Sequence, residues 1–292
     1  MRQLSLFNEA AKEHIVNVAS VPQRSPFRYP GGKTWLVPHI RRWIASQPTR
    51  PEEFIEPFAG GGSVGLTVAF ERLVKHVTLV ELDDDVAAVW QTILSGQGKW
   101  LAERIADFAL TPEAAQAVLS KSPSSVRERG FQTILKNRIN RGGILAPGAG
   151  RVKHGEDGKG LLSRWYPQTL RKRILNIVAI REHLTFIHGD GLATLRRNLG
   201  QRNALFFVDP PYTAAGKKAG SRLYTHHELD HAELFDLVAR LSGDFLMTYD
   251  DAGGVRDLVQ QHRFDTHVVA MKNTHHAKMT ELLIGRNLDW AR

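Results

Sequence analysis

The chain has 292 residues, 42% hydrophobic and 24% charged, with a mean hydropathy of −0.28, an ordinary globular composition that excludes a disordered, collagenous or disulfide-stapled chain. The 39 basic residues against 30 acidic ones leave +9 and a pI near 9.9, which points to a polyanionic partner, nucleic acid before an anionic membrane surface. The lack of cysteine excludes thiolate zinc sites and a cysteine nucleophile.

In chain order, the N-terminus MRQLSLFNEAAKEH carries charges where a signal peptide needs its apolar centre. No apolar run approaches the ~18 residues of a membrane span. The reading is therefore a soluble cytoplasmic protein, bacterial or phage-encoded, with no membrane partner. Residues 1–24 show no core pattern and read as a tail. Strands are expected at Glu53–Phe58, His76–Glu81, Leu184–His188, Ala204–Val208 and Phe245–Tyr249, where short apolar runs end in glycine or acidic residues. Helical patterns are expected at Val64–Glu71, Asp84–Leu94, Leu170–His183 and Leu229–Leu241. The alternation predicts an α/β, doubly wound, mostly parallel sheet. The late runs Thr266–Met271 and Glu281–Ile284 leave no room for a helix between them, so they should form an antiparallel pair at the sheet edge.

In such sheets ligands bind beyond the carboxyl ends of the strands. The first strand runs into Glu56-Pro57-Phe58-Ala59-Gly60-Gly61-Gly62-Ser63, where three glycines permit a sharp turn and close approach of a ligand. The Phe-x-Gly-x-Gly form fits an S-adenosylmethionine loop, and Ser63 is expected to cap the following helix. The second strand ends at Glu81, placed to accept the two hydroxyls of a ribose, whereas Asp83 and Asp84 read as helix-start carboxylates. After ALFFV come Asp209-Pro210-Pro211-Tyr212. The prolines stop the strand and stiffen the turn. This group suits methylation of an amine conjugated to an aromatic ring, whose delocalised lone pair makes it a poor nucleophile. A carboxylate and a backbone carbonyl, each accepting one amino hydrogen, localise that pair, and an aromatic ring holds the base by stacking.

The charge is concentrated. Between Lys121 and Arg173 stand 13 basic and three acidic residues, +10 in 53 residues, so the rest of the chain is about neutral. Many of these residues are arginines in or near the glycine-rich stretch RINRGGILAPGAGRVKHGEDGKG, which suits phosphate and base-edge contact.

Together these motifs resemble the Dam-type, alpha-group DNA adenine N6-methyltransferases, over roughly residues 26 to 287. Phe27-Arg28-Tyr29-Pro30-Gly31-Gly32-Lys33 resembles that family's N-terminal cofactor motif, FIEPFAGGGSVGL its glycine loop and DPPY its catalytic motif. KNRINRGGIL is similar to the start of its DNA-reading hairpin. The resemblance implies a Rossmann-like methyltransferase fold, with residues 25–94 and 184–292 as the catalytic domain and 95–183 as an inserted basic helical and hairpin target-recognition domain. It implies S-adenosylmethionine as cofactor, no metal, and double-stranded DNA as partner. Tyr29, Lys33, Phe58, Ala59, Gly60, Glu81, Asp190 and Asp209 would contact the cofactor. Asp209 and the Pro210 carbonyl would grip the target amine, with Pro211 stiffening the turn and Tyr212 stacking on a flipped base. Arg138, Asn140 and Arg141 would read base edges, and Lys153, Arg164 and Lys172 would hold phosphates. The chain is expected to act as a monomer, with a cognate restriction endonuclease a fitting companion. Two rival readings stand beside it: methylation of RNA or a protein amide, where asparagine usually replaces Asp209, and a DNA-binding protein that keeps the fold without methylating. His226–His227 and His275–His276 are spaced for neither a metal nor a triad.

Overall fold

A computed structural model describes residues 21–155, 158–211, 229–272 and 278–292. The strands are β1 Glu53–Glu56, β2 His76–Glu81, β3 Leu184–His188, β4 Ala204–Val208, β5 Asp244–Asp250, β6 Asp265–Lys272 and β7 Lys278–Gly285. They form one sheet in the order β3-β2-β1-β4-β5-β7-β6. The first five run parallel. The late antiparallel pair is present with one refinement: β7 lies inside the sheet between β5 and β6, so only β6 forms the edge. This is a Rossmann-like α/β sheet, parallel but for its late antiparallel strands.

The helices are α1 Val37–Ala45, α2 Ser63–Phe70, α3 Asp84–Thr92, α4 Gly98–Ala106, α5 Pro112–Leu119, α6 Val126–Ile139, α7 Pro167–Ala179, α8 Gly191–Arg197, α9 His231–Ala239 and α10 Gly253–His262. Successive strand residues point to opposite faces. Phe54, Leu205, Phe207 and Leu246 therefore pack on one side with Ile40, Trp43, Leu66 and Trp90. Ile55, Phe206, Val208, Phe245 and Met247 pack on the other with Leu192, Leu234, Phe235 and Val255. A strand covered on both faces must be apolar at every position, which is why β4 reads ALFFV.

Helices α4 to α7 lie between β2 and β3 in the chain. Their Leu101, Ile105, Phe131, Ile134, Ile174 and Ile177 belong to the core that holds Phe54, so the interrupting segment shares a core with the sheet. Helices α3 and α6 approach closely at Gly130, where a Cβ would stand 3.0 Å from the Ala88 carbonyl oxygen and 3.0 Å from Thr92 Oγ1. The expected glycine-rich hairpin is reduced to one antiparallel bridge, Asn140 to Arg151.

Several expected boundaries move. Strand β1 ends at Glu56 rather than Phe58, since Pro57 has no N–H to donate. The helix expected at Leu170–His183 starts at Pro167, with that proline in the first turn, and gives way after Ala179 to a 3-10 turn at Arg181–His183. Ser63 is the first residue of α2 and not its cap; Gly62, in the left-handed region at φ 61°, holds the cap position. Among the described residues, no helix is long and apolar enough to cross a membrane.

Candidate active site

A cleft of about 990 Å³, measured out to its mouth, opens at the carboxyl ends of β1 to β4. Its lining brings together ten of the expected residues: Tyr29 and Lys33, the loop Phe58-Ala59-Gly60, then Glu81, Asp190, Asp209, Pro210 and Pro211. Tyr212 lies outside the described residues, as do His226, His227, His275 and His276.

The glycine loop is held from three directions. Gly60 N–H donates to Glu81 Oε2 at 2.9 Å, Trp90 Nε1 donates to the Gly60 carbonyl at 2.9 Å, and Ala59 N–H donates to the Val80 carbonyl at 2.9 Å. Gly60 has φ +48°, and a Cβ there would stand 2.5 Å from Tyr29 Cε1. The loop thus needs glycine both for its conformation and for the ring lying against it.

Glu81 does more than its strand-end position indicates. Besides Gly60, it accepts from the N–H groups of Leu82 at 2.8 Å and Asp83 at 2.9 Å, both on Oε1. Desolvation pushes its carboxyl up to about 7, against the opposing pull of these backbone donors. Each carboxylate oxygen carries two acceptor sites, so Glu81 can anchor the loop and still accept a ribose hydroxyl. Glu81→Ala is expected to weaken S-adenosylmethionine binding by ~10-fold or more, the loss of about 1.4 kcal/mol or more. Equilibrium dialysis measures it, and an unchanged Kd would remove Glu81 from the cofactor site. Asp190 caps α8 by accepting from Ala193 N–H at 2.7 Å, with its carboxylate in the cleft lining.

At the other end of the cleft, Lys33 is only 3% exposed. Its Nζ lies 3.0 Å from Asp209 Oδ1 and 3.5 Å from Glu281 Oε1, and it donates to the Gly31 carbonyl at 3.0 Å. Burial opposes the ammonium charge, but Asp209 and Glu281 outweigh it and hold Lys33 above the usual lysine range. Thr248 Oγ1 donates to the same Asp209 oxygen at 2.7 Å. Lys33 and Thr248 together fix the orientation of the Asp209 carboxylate. The motif resemblance assigns Lys33 to the cofactor; it lines the cleft, and its ion pair is with Asp209.

Buried Glu56 accepts from Gly65 N–H at 2.9 Å. A Cβ at Gly65 would stand 2.5 Å from Glu56 Oε2, so α2 can pass the carboxyl only at a glycine. Burial, with Asp209 adding to it, pushes the Glu56 carboxyl up to about 8. A carboxyl with its folded-state pKa raised binds more protons folded than unfolded. It therefore makes stability fall as pH rises from the ordinary carboxylate range through about 8. Glu56→Gln keeps the acceptor and removes the titration, so its Tm is expected to gain on the native chain progressively between pH 5 and pH 8. A constant difference across that window would count against a titrating Glu56.

The basic segment divides. Arg141, Lys153 and Lys172 are exposed, while Arg164 and Asn140 are half-buried. Asn140 Nδ2 donates to the Ile144 carbonyl at 2.8 Å. Arg138 is 4% exposed and donates through Nη2 to the Pro26 carbonyl, so unlike Arg141 it does not stand on the open surface. Thr248, Glu281 and Trp90 were not singled out by the sequence. Glu56 stood within the EPF motif, although nothing marked it as a buried acid. Among the described residues, no group of three His, Asp or Glu side chains could hold a metal ion.

Residues 29–116 match the model of the D12 class N6 adenine-specific DNA methyltransferase family. No curated protein matches the chain. Among solved structures, the chain is similar to the rRNA methyltransferase aviRa from Streptomyces viridochromogenes, with 13% identity over 88% of this chain and 86% of that one at a TM-score of 0.40. It is also similar to the precorrin-6y C5,15-methyltransferase from Geobacter metallireducens, with 10% identity over 84% of each chain at a TM-score of 0.33.

Proposed function

We propose that the chain, whose residues 29–116 match the model of the D12 class N6 adenine-specific DNA methyltransferase family, is a site-specific enzyme of that kind and methylates an adenine flipped out of duplex DNA. The observation that carries this reading is the Asp209 carboxylate, oriented by Lys33 and Thr248 at the end of a cleft that begins at a bare glycine loop.

The family implies S-adenosylmethionine, and the residues present fit it. Gly60 lines the cleft without a side chain of its own beside the Tyr29 ring, Phe58 offers an apolar wall, and Glu81 and Asp190 offer carboxylates at successive strand ends. When bound, that cofactor supplies a methyl group activated by a sulfonium. The chain's own work is to prepare the acceptor. Asp209 accepts one amino hydrogen of adenine and the Pro210 carbonyl accepts the other, drawing the nitrogen toward tetrahedral geometry and concentrating its lone pair. The stiff Pro210-Pro211 turn keeps carboxylate and carbonyl at a fixed separation. Tyr212, next in the chain, is assigned to stacking on the base.

The interrupting segment is assigned to DNA. Its exposed Arg141, Lys153 and Lys172 stand on the part of the chain that holds all of the excess charge. The test is single-molecule sequencing of DNA from a methylation-free host expressing the chain. N6-methyladenine confined to one motif is the expected result and would supply the recognition site. Absence of modified adenine, with the protein folded and binding S-adenosylmethionine, would overturn duplex DNA as the substrate in favour of RNA.

A further inference from the structure

A second pocket, about 910 Å³ out to its mouth, shares Tyr29, Gly32 and Ser63 with the cleft. Four arginines line it: Arg28, Arg138, Arg164 and Arg173. No acidic residue is among the described residues of its lining.

The arginines are built in. Buried Asn137 grips the Arg28 backbone at both ends, accepting from its N–H at 2.8 Å and donating to its carbonyl at 2.9 Å. This fastens the segment before Lys33 to helix α6. Arg173 Nη1 donates to the Ser25 carbonyl at 3.0 Å, and Arg138 Nη2 donates to the Pro26 carbonyl. Arg138 Nε is buried and has no hydrogen-bond partner among the described residues. A buried charged donor left without a partner costs more than a neutral one. Burial lowers Arg138 to about 9, with Arg173, Arg28 and Arg164 adding to the effect; burial and then Arg164 lower Arg28 as well. Like charges gathered this way oppose folding, and an anion seated among them would reverse the sign. Guanidinium forks match the tetrahedral oxygens of phosphate.

We propose that this pocket takes one phosphate group, a backbone phosphodiester of the DNA whose adenine is presented to Asp209. The assignment to DNA rests on the methyltransferase reading; the phosphate chemistry does not. A phosphate held here would lie against the same Tyr29 that borders the cleft, so one contact would set the strand's position relative to the site.

The test uses Arg28→Gln, because this guanidinium is half-buried and makes no side-chain hydrogen bond among the described residues, and Arg173→Gln as the second variant. Binding of a duplex carrying the methylated motif is measured against salt. Loss of one phosphate contact should reduce the slope of log K against log salt by about 0.9. KM for DNA should rise ~5-fold or more with kcat at saturating DNA retained, in line with the loss of one charge-assisted contact. In a second arm, inorganic phosphate and then a nucleoside monophosphate are titrated against Tm. If the DNA slope is unchanged but inorganic phosphate raises the Tm of the native chain and not of the variants, the pocket serves a free phosphate and the DNA source is overturned. If neither arm separates the variants from the native chain, the phosphate site itself is overturned. Failure of the methyltransferase reading shows separately, as absence of N6-methyladenine with the native chain, while the phosphate arm still reports on the pocket.

Discussion

Asp209→Asn is expected to lower the single-turnover methylation rate by roughly 10²–10⁴-fold, the range seen when a positioned charge-stabilising or proton-accepting group is removed. Asparagine matches aspartate in size and can still accept from Thr248 Oγ1, now 2.7 Å from the carboxylate. It cannot offer a full negative charge to an amino hydrogen, and its own NH2 is a donor where an acceptor is needed. Lys33 keeps Glu281 and the Gly31 carbonyl as partners, so the loss should fall on the rate and not on folding. Affinities for S-adenosylmethionine and DNA should stay within a few-fold of native. Transfer of a labelled methyl group at saturating DNA measures the rate, and a variant near the native rate would remove Asp209 from the chemistry.

Lys33→Met is expected to be the most damaging single change to stability. It removes the ammonium that Asp209 and Glu281 share and leaves two carboxylates facing a space made for a cation. Breaking a buried pair from one side costs roughly 3–5 kcal/mol, a large part of the 5–15 kcal/mol that holds a typical domain together. Glu281 is 4% exposed, and burial, countered by Lys33, already places its carboxyl at about 7. Without Lys33 its folded-state pKa rises further. The folded variant then binds more protons than the unfolded chain over a wider window, so the deficit should grow as pH rises from 5 to 8 and shrink in acid. Adding Glu281→Gln to Lys33→Met should recover part of the loss by discharging the orphaned acid. Urea unfolding at pH 5 and pH 8 measures both effects; a deficit independent of pH, or no rescue by the second change, would show that the ion pair is not what Lys33 contributes.

The inner strands β1, β2, β4 and β5 were legible to within two residues because they are buried on both faces, and a run such as ALFFV fits few places outside the middle of such a sheet. Strand β7, by contrast, begins at Lys278, three residues before the expected Glu281. Glu81, Asp190 and Asp209 were legible for a related reason: they sit at carboxyl ends of strands, where an acidic residue after an apolar run stands out. Helix α6 did not show itself. Its buried face includes Gln132, Thr133, Asn137 and Arg138, and each of these polar side chains donates to a backbone carbonyl, those of Val118, Arg129, Arg28 and Pro26. Hydrophobic periodicity cannot reveal a helix buried through hydrogen bonds. It was equally unable to separate the buried Arg138 from the exposed Arg141 three residues on. Thr248 and Glu281 were out of reach because only strand pairing brings them to Asp209: Thr248 from the neighbouring β5, and Glu281 from β7, opposite Asp250 in the register.

The placement of β7 also sets the order in which the molecule is completed. A nascent chain can make β1 to β5 and their helices from segments already synthesised, yet β5 then presents an unpaired edge, and Lys33 has only one of its two carboxylates. Both gaps close when the segment around Glu281 threads between β5 and β6. Contacts so distant along the chain form slowly and late. A chain that stops before Lys278 would leave β5 with an open strand edge, prone to pairing with its neighbours, and Lys33 without Glu281.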